Sequence, residues 1–128
     1  MKFSVLLFLI ICFGCGRMEQ YPEGQKLYIK HCSGCHGEQG EGLQELIPPL
    51  AGAEIFLAAG PNAACWISNG MEGKIIVKGV EFDNAMPAIK QLSNIEIANI
   101  LNYSLNSWGN NHRFITPEEI KTIIKSCP

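Results

Sequence analysis

Cys32-Ser33-Gly34-Cys35-His36 is the stretch whose residue types and spacing carry chemistry. Two thiols sit one turn of backbone apart, and an imidazole directly follows the second. That pattern suits c-type haem attachment, in which each thiol adds to a vinyl group as a thioether and the imidazole ligates the iron. Two intervening residues let one turn reach both vinyls and bring the imidazole beneath the iron. A C-x-x-C pair also serves as a redox dithiol, but the chain lacks the alternating strands and helices of a thioredoxin fold. Half a zinc site is the other alternative, and no second C-x-x-C or H-x-H pair completes it. The motif therefore predicts one covalently bound haem c, held by Cys32 and Cys35 with His36 on the iron.

Several elements must position this motif. Pro22-Glu23 opens an amphipathic helix that carries Leu27 and Tyr28 into it, proline being suited to a first helical turn. A Gly/Glu-rich loop over residues 37–42 and the extended apolar stretch Leu46-Ile47-Pro48-Pro49-Leu50 follow. Residues 54–59 form a short helix, and residues 61–69 a second one that stops at Gly70. The β-branched residues 74–78 end at Gly79 as a strand or hairpin arm. Ser93-Asn94-Ile95-Glu96 is a capping box for a helix in which Ile97, Ile100, Leu101, Leu105 and Trp108 recur at helical spacing up to Gly109. Thr116-Pro117-Glu118-Glu119 is a second capping box, opening a tail helix whose Ile120, Ile123 and Ile124 share one face. The expected fold is mainly α: about four helices around one haem, with a short β-hairpin.

Composition narrows the function classes. At 128 residues the chain suits one compact domain plus a short processed segment. A hydrophobic fraction of 47% excludes a disordered chain. A net charge of −2 with no Lys/Arg run excludes a basic nucleic-acid binder. The acidic residues read as a solvated face, with no pair that argues for acid–base catalysis. Lys2, then an apolar run over residues 3–13 broken only by Ser4, then Gly14-Cys15-Gly16, make a secretory signal. The run is too short for a spanning helix, which needs about 20 residues. Cys15 after Gly14 resembles the lipobox of bacterial lipoproteins, where cleavage precedes the cysteine and that cysteine is lipidated. Cys12 and Phe13 depart from the Leu and small residue usual at their positions, and an ordinary signal with an idle Cys15 is the alternative.

Over residues 21–110 the chain resembles the class I mono-haem cytochromes c. Gly24 and Tyr28 match the small and aromatic positions of that family's N-terminal helix, and Ile100 and Tyr103 those of its C-terminal helix. Asn84-Ala85-Met86-Pro87 resembles the segment carrying the distal methionine. Pro48-Pro49-Leu50 resembles the loop in which a proline carbonyl accepts the histidine N–H, and either proline fits. Leu92-Ser93, Tyr103 and Ser107-Trp108-Gly109-Asn110 resemble a bacterial subgroup linked to respiratory oxidases and reductases. The resemblance implies a cytochrome c fold and a single-electron carrier rather than an enzyme, with six-coordinate iron ligated by His36 and Met86. It implies redox partners such as a membrane respiratory complex or a terminal oxidase or reductase, and no nucleic acid. The expected organisation is a signal peptide (1–14), a lipidated Cys15 with its tether (15–21), and a cytochrome c domain with a tail helix (22–128). That places the protein on the periplasmic side of a bacterial envelope, anchored to a membrane through Cys15.

The competing residues have their own readings. Met18 lies in the tether, and His112 beyond the last haem-packing helix. His31, beside Cys32, is expected on the surface and pointing away from the iron. Met71 precedes Ile75-Ile76-Val77 and is expected to be held in core packing. Met86 sits in a non-helical segment long enough to cross the far face of the haem, stiffened by Pro87. An apolar shell including Leu50, Ile67, Ile97 and Leu101 is expected to keep the iron dry. Trp66 either packs on the haem edge or is an ordinary core aromatic. Cys65 and Cys127 form a disulfide in an oxidising compartment, or Cys65 is buried unpaired. A vacant sixth position would instead make the protein a haem enzyme or gas sensor, and a fixed place in an oxidase or nitrite reductase would make it a subunit.

Overall fold

In a computed structural model that describes residues 19–128, Pro22 opens helix α1 (Pro22–His31) with its φ already set for the helix. The expectations on the export segment, Cys15 and Met18 lie outside the described residues. The chain breaks at Cys32 (φ −122°) and makes one further turn, α2 (Ser33–His36), before Gly37 at φ 79° ends it. Gly24 and Tyr28 form the buried face of α1 and cross α5 (Asn94–Ser104). A Cβ on Gly24 would collide with the Asn99 carbonyl and lie 2.7 Å from Tyr103 Cβ, so only glycine lets the two helices approach this closely. The Tyr28 ring packs 5.5 Å from Tyr103 and 5.0 Å from Trp108, and its hydroxyl donates to the Gly37 carbonyl at 2.7 Å. The helix crossing is thereby tied to the end of the Cys-His turn.

Between these helices lie α3 (Glu54–Ala59), a 3-10 turn (Gly60–Asn62) and α4 (Ala63–Asn69). The helix expected from residue 61 thus begins later, because Pro61 sits in the tighter turn. Strands β1 (Ile75–Val77) and β2 (Val80–Phe82) pair antiparallel, with Ile75 opposite Phe82. Lys78 and Gly79, at φ 50° and 78°, supply the two positive dihedrals that a tight hairpin needs.

The Ser93 capping box is complete: Ser93 Oγ accepts from Glu96 N, and the Glu96 carboxylate accepts from Ser93 N at 2.9 Å. Helix α5 ends at Ser104 rather than continuing to Gly109. The amide of Asn106 donates to the Asn102 carbonyl and that of Asn110 to the Ser104 carbonyl, both at 2.9 Å, taking acceptors that a further turn would use. Leu105 remains wholly buried, and Trp108 sits at φ 55°.

Helix α6 (Pro117–Ile124) keeps only half of its capping box. Thr116 Oγ1 accepts from Glu119 N at 3.2 Å, but Glu119 turns outward to the Arg113 guanidinium, 2.9 Å away. The tail is nonetheless fixed. Asn102 exchanges hydrogen bonds with both main-chain groups of Ile115 at 2.8 Å, Ile120 is fully buried, and Cys65 and Cys127 are joined as a disulfide with Cα atoms 5.5 Å apart. Phe56, Ile67, Val77, Phe82, Ile97 and Leu101 form one core with Ile115 and Ile120. The fold is mainly α with one small hairpin, as the sequence implies. Among the described residues no helix is long and apolar enough to cross a membrane.

Candidate functional site

A deep cavity opens between the Cys-His turn, the Pro48 loop, α4, the hairpin and residues 84–89, with about 1240 Å³ of empty space counting its open mouth. One wall carries the motif. Cys32 is half-buried, Cys35 is exposed, and both are free thiols on the cavity lining. Burial, then the charge of Cys35, pushes the Cys32 thiol up to about 12. That is the opposite of the shift that activates a thiol. The zinc reading fails because among the described residues no group of three His, Cys, Asp or Glu side chains converges.

His36 is 9% exposed, and its Nδ1 lies 3.0 Å from the Pro48 carbonyl, which settles the choice between Pro48 and Pro49. A carbonyl only accepts, so Nδ1 carries the proton and Nε2 keeps its lone pair for a metal. Burial lowers the pKa of the ring, with the Pro48 contact partly opposing it, and holds the imidazole in the neutral form that ligation requires. The loop behind it is pinned along its length. Gly42 N donates to the His36 carbonyl at 2.7 Å, Leu50 N and Ala51 N donate to the Gly40 carbonyl at 2.8 and 2.9 Å, and Leu43 and Ile47 form a small bridge.

The opposite wall is built from two methionines. Met71 and Met86 face each other in an antiparallel bridge, N–H to carbonyl at 2.9 Å one way and 2.8 Å the other, and both line the cavity. Ile89 N donates to the Ile67 carbonyl at 2.8 Å and docks the same segment on α4. Met71 is therefore not where the sequence reading put it. Met86 packs against the buried core and Met71 does not, and what surrounds Met71 is the cavity.

Other expectations fare unevenly. Leu50, Ile67 and Leu101 line the cavity, whereas Ile97 is buried behind it. Trp66 lines it as well. His31, the last residue of α1, is half-buried on the lining rather than on the outer surface. His112 lies off the cavity, with Nδ1 2.9 Å from the Arg113 carbonyl. Three residues named in the sequence reading have supporting roles that it did not reveal. Asn110, 7% exposed, accepts from Gly52 N at 2.8 Å and donates to the Leu50 carbonyl at 3.1 Å, bracing the Pro48 loop from behind. Asn84 donates to the Leu46 carbonyl at 2.9 Å and joins the two walls at the mouth. At Gly70 a Cβ would lie 2.7 Å from the Met86 carbonyl. Only the cluster of Gly and Asn around the apolar loops hinted at such close main-chain approaches.

This arrangement fits a haem. Two thiols and a neutral imidazole share one wall, soft thioethers face them, and apolar side chains such as Phe56, Ile75 and Val77 close the sides.

The comparisons with known proteins agree with the geometry. The family model for cytochrome c matches residues 21–108. Cytochrome c-552 of Thermus thermophilus is 33% identical over 132 aligned residues, covering 96% of this chain and 86% of the relative. The cytochrome c subunit of a quinone alcohol dehydrogenase from Gluconobacter oxydans is 32% identical over 92 residues, covering 69% of this chain and 19% of that protein.

Proposed function

The chain belongs to the cytochrome c family, an electron-transfer protein with covalently bound haem c, and from that premise we propose that it is a mono-haem carrier of single electrons in a respiratory chain of the bacterial envelope, its iron ligated by His36 and Met86. The observation that carries this reading is the cavity with a buried, Pro48-tethered His36 on one wall and the Met86 thioether on the other. Haem c when bound supplies the one-electron couple. Cys32 and Cys35 hold it as thioethers. Pro48 fixes the imidazole plane and, by accepting the Nδ1 proton, raises the basicity of Nε2. Met86 offers a soft, uncharged donor that favours the reduced state and closes the sixth position to substrates. Phe56, Ile67 and Leu101 exclude water, so a change of charge at the centre reorganises little around it.

The partners in this reading are redox proteins: a membrane respiratory complex or a terminal oxidase or reductase. The likeness to a dehydrogenase's cytochrome subunit supports a large redox complex as the docking partner. We place residues 22–128 as the cytochrome c domain behind a signal peptide (1–14), and Cys15 as the lipid anchor that holds it on the periplasmic side of a membrane.

One set of measurements on the purified holoprotein tests the reading. Acid–organic extraction leaves the haem on the protein, a redox titration shows one reversible one-electron wave, and the reduced protein does not bind carbon monoxide. With labelled methionine methyls, Met86 gives the resonance most strongly shielded by the ring. Extractable haem overturns the attachment, ready binding of carbon monoxide overturns the carrier reading, and a Met86 methyl at an ordinary position overturns that ligand.

A further inference from the structure

Met71 and Met86 are directly opposed residues of one antiparallel bridge, exchanging both main-chain hydrogen bonds. Opposed residues send their side chains to the same face of the pair, with β carbons about 5 Å apart. Both side chains line the one cavity, and both are half-buried. A methionine has three rotatable bonds and a polarisable thioether at its end, so a change of rotamer is enough to carry its sulfur across such a gap. Met71 also sits between Gly70 at φ 79° and Gly73 at φ 90°, neither of which adds a side chain to obstruct that movement. The buried core makes no use of Met71, whereas it does pack against Met86. A cavity with one thioether ligand thus holds a second thioether from the neighbouring strand position.

We propose that Met71 is a reserve iron ligand, taking the sixth position when the Met86 thioether leaves it. This rests on the reading of Met86 as the resident ligand. The exchange breaks one iron–sulfur bond and forms another between neutral donors, so it moves no proton and no electron. Being tethered beside the site, Met71 competes with dissolved ligands as an intramolecular group at high effective concentration. Its consequence is a sixth position that stays closed to small outside ligands even while Met86 is displaced. The distal wall then preserves electron transfer and suppresses ligand binding without having to hold one sulfur rigidly.

The test compares holoproteins carrying Met86→Ala, Met71→Leu and both changes, read by the sulfur-to-iron charge-transfer band of the oxidised form and by carbon monoxide binding to the reduced form. Met71→Leu keeps the band, and its reduced form binds carbon monoxide faster than the parent protein. Met86→Ala keeps the band, and binds carbon monoxide at least about tenfold more weakly than the double variant, which lacks the band. If Met86→Ala loses the band and binds carbon monoxide as the double variant does, the reserve role is overturned while the ligation by Met86 stands. If the band survives in the double variant, or vanishes in Met71→Leu alone, Met86 is not the resident ligand and both readings fall. A measurement on the unaltered protein covers a Met86→Ala that does not fold. In the labelled reduced holoprotein the Met71 methyl is shifted outside the ordinary methionine range, though less than that of Met86. A Met71 methyl at the ordinary position overturns the reserve role.

Discussion

His36 is 9% exposed and tied at ring and main chain, whereas Met86 is half-buried on a segment held by a two-residue bridge, a contact to α4 and the Asn84 hydrogen bond to the Leu46 carbonyl. The proximal wall is built mostly from local sequence, with Asn110 as a long-range brace. Five consecutive residues carry its chemistry, and the Pro48 loop that braces it folds straight back onto Gly40 and His36. The distal wall is assembled from separated pieces: residues 70–73 after α4, residues 84–89 after the hairpin, and α4 itself, which is pinned from outside by the tail. Local contacts form at little entropic cost, while contacts between separated segments must overcome loop closure. The proximal side is thus the rigid reference and the distal side the adjustable one. Under the proposed ligation, that division sets a fixed His36 against a more movable Met86.

The largest expected effect comes from removing the outer support of the distal wall. Cys65 and Cys127 close a loop with a sequence separation of 62, and a bridge of that span stabilises by about 4 kcal/mol in the chain-entropy model. Cys65→Ser/Cys127→Ser should lower the denaturation midpoint of the holoprotein by the equivalent of that energy. Helix α4 also presents the Ile67 carbonyl to Ile89 N, so the same variant should bind carbon monoxide faster in the reduced form. Its haem should stay attached and His36 ligated. A variant as stable as the parent would show that the tail is an appendage and that the distal wall does not lean on it.

Asn110 probes the other wall. Its buried amide serves Gly52 N, the Leu50 carbonyl and the Ser104 carbonyl, and Asn110→Ala leaves all three without that partner. Loss of a buried network of this size costs about 2–3 kcal/mol. The expected result is a lower denaturation midpoint with carbon monoxide still excluded, because the loop it braces lies on the proximal side. If carbon monoxide binding opens as widely as in a distal variant, the two walls are not mechanically separate.

The same division decides what could be read from the sequence. Cys32, Cys35 and His36 stand out in the sequence because the chemistry proposed for them needs adjacency, and the structure places all three on the cavity lining. The helix starts at Pro22 and Ser93 were legible for the same reason, since a cap is a local pattern. The path of the Pro48 loop was not, and only the contact of His36 Nδ1 with the Pro48 carbonyl distinguishes the two prolines. Met71 was misread because its partner lies beyond the whole hairpin, and the bridge that turns it toward the cavity leaves no mark in the residues around it. His31 was expected on the surface from its place beside the first cysteine, yet it lines the cavity. Helix α5 was extended too far because Leu105 and Trp108 keep helical spacing while Asn106 and Asn110 divert the carbonyls that would continue it. There the side chains overrode a valid periodicity.

The sharpest test of the comparison is at Gly70. Its φ of 79° with ψ of −179° is a conformation essentially reserved for glycine, which alanine adopts at a cost of about 1–3 kcal/mol. The added Cβ would also stand 2.7 Å from the Met86 carbonyl and 3.0 Å from Ala88 N, closer than non-bonded carbon tolerates. Helix α4 is pinned to the tail on one side and packed in the core on the other, so the segment carrying Met86 is what yields. Gly70→Ala should therefore disturb ligation more than Asn110→Ala does. The redox potential should fall, and the shielded Met86 methyl should move toward its ordinary position, while the His36 ring resonances stay in place. If Met71 acts as the reserve, its methyl should move the opposite way in the same spectrum as the two thioethers trade occupancy. A Gly70→Ala protein with both methyl signals unmoved would mean that the distal segment is as rigid as the proximal one, and the contrast between the walls would collapse.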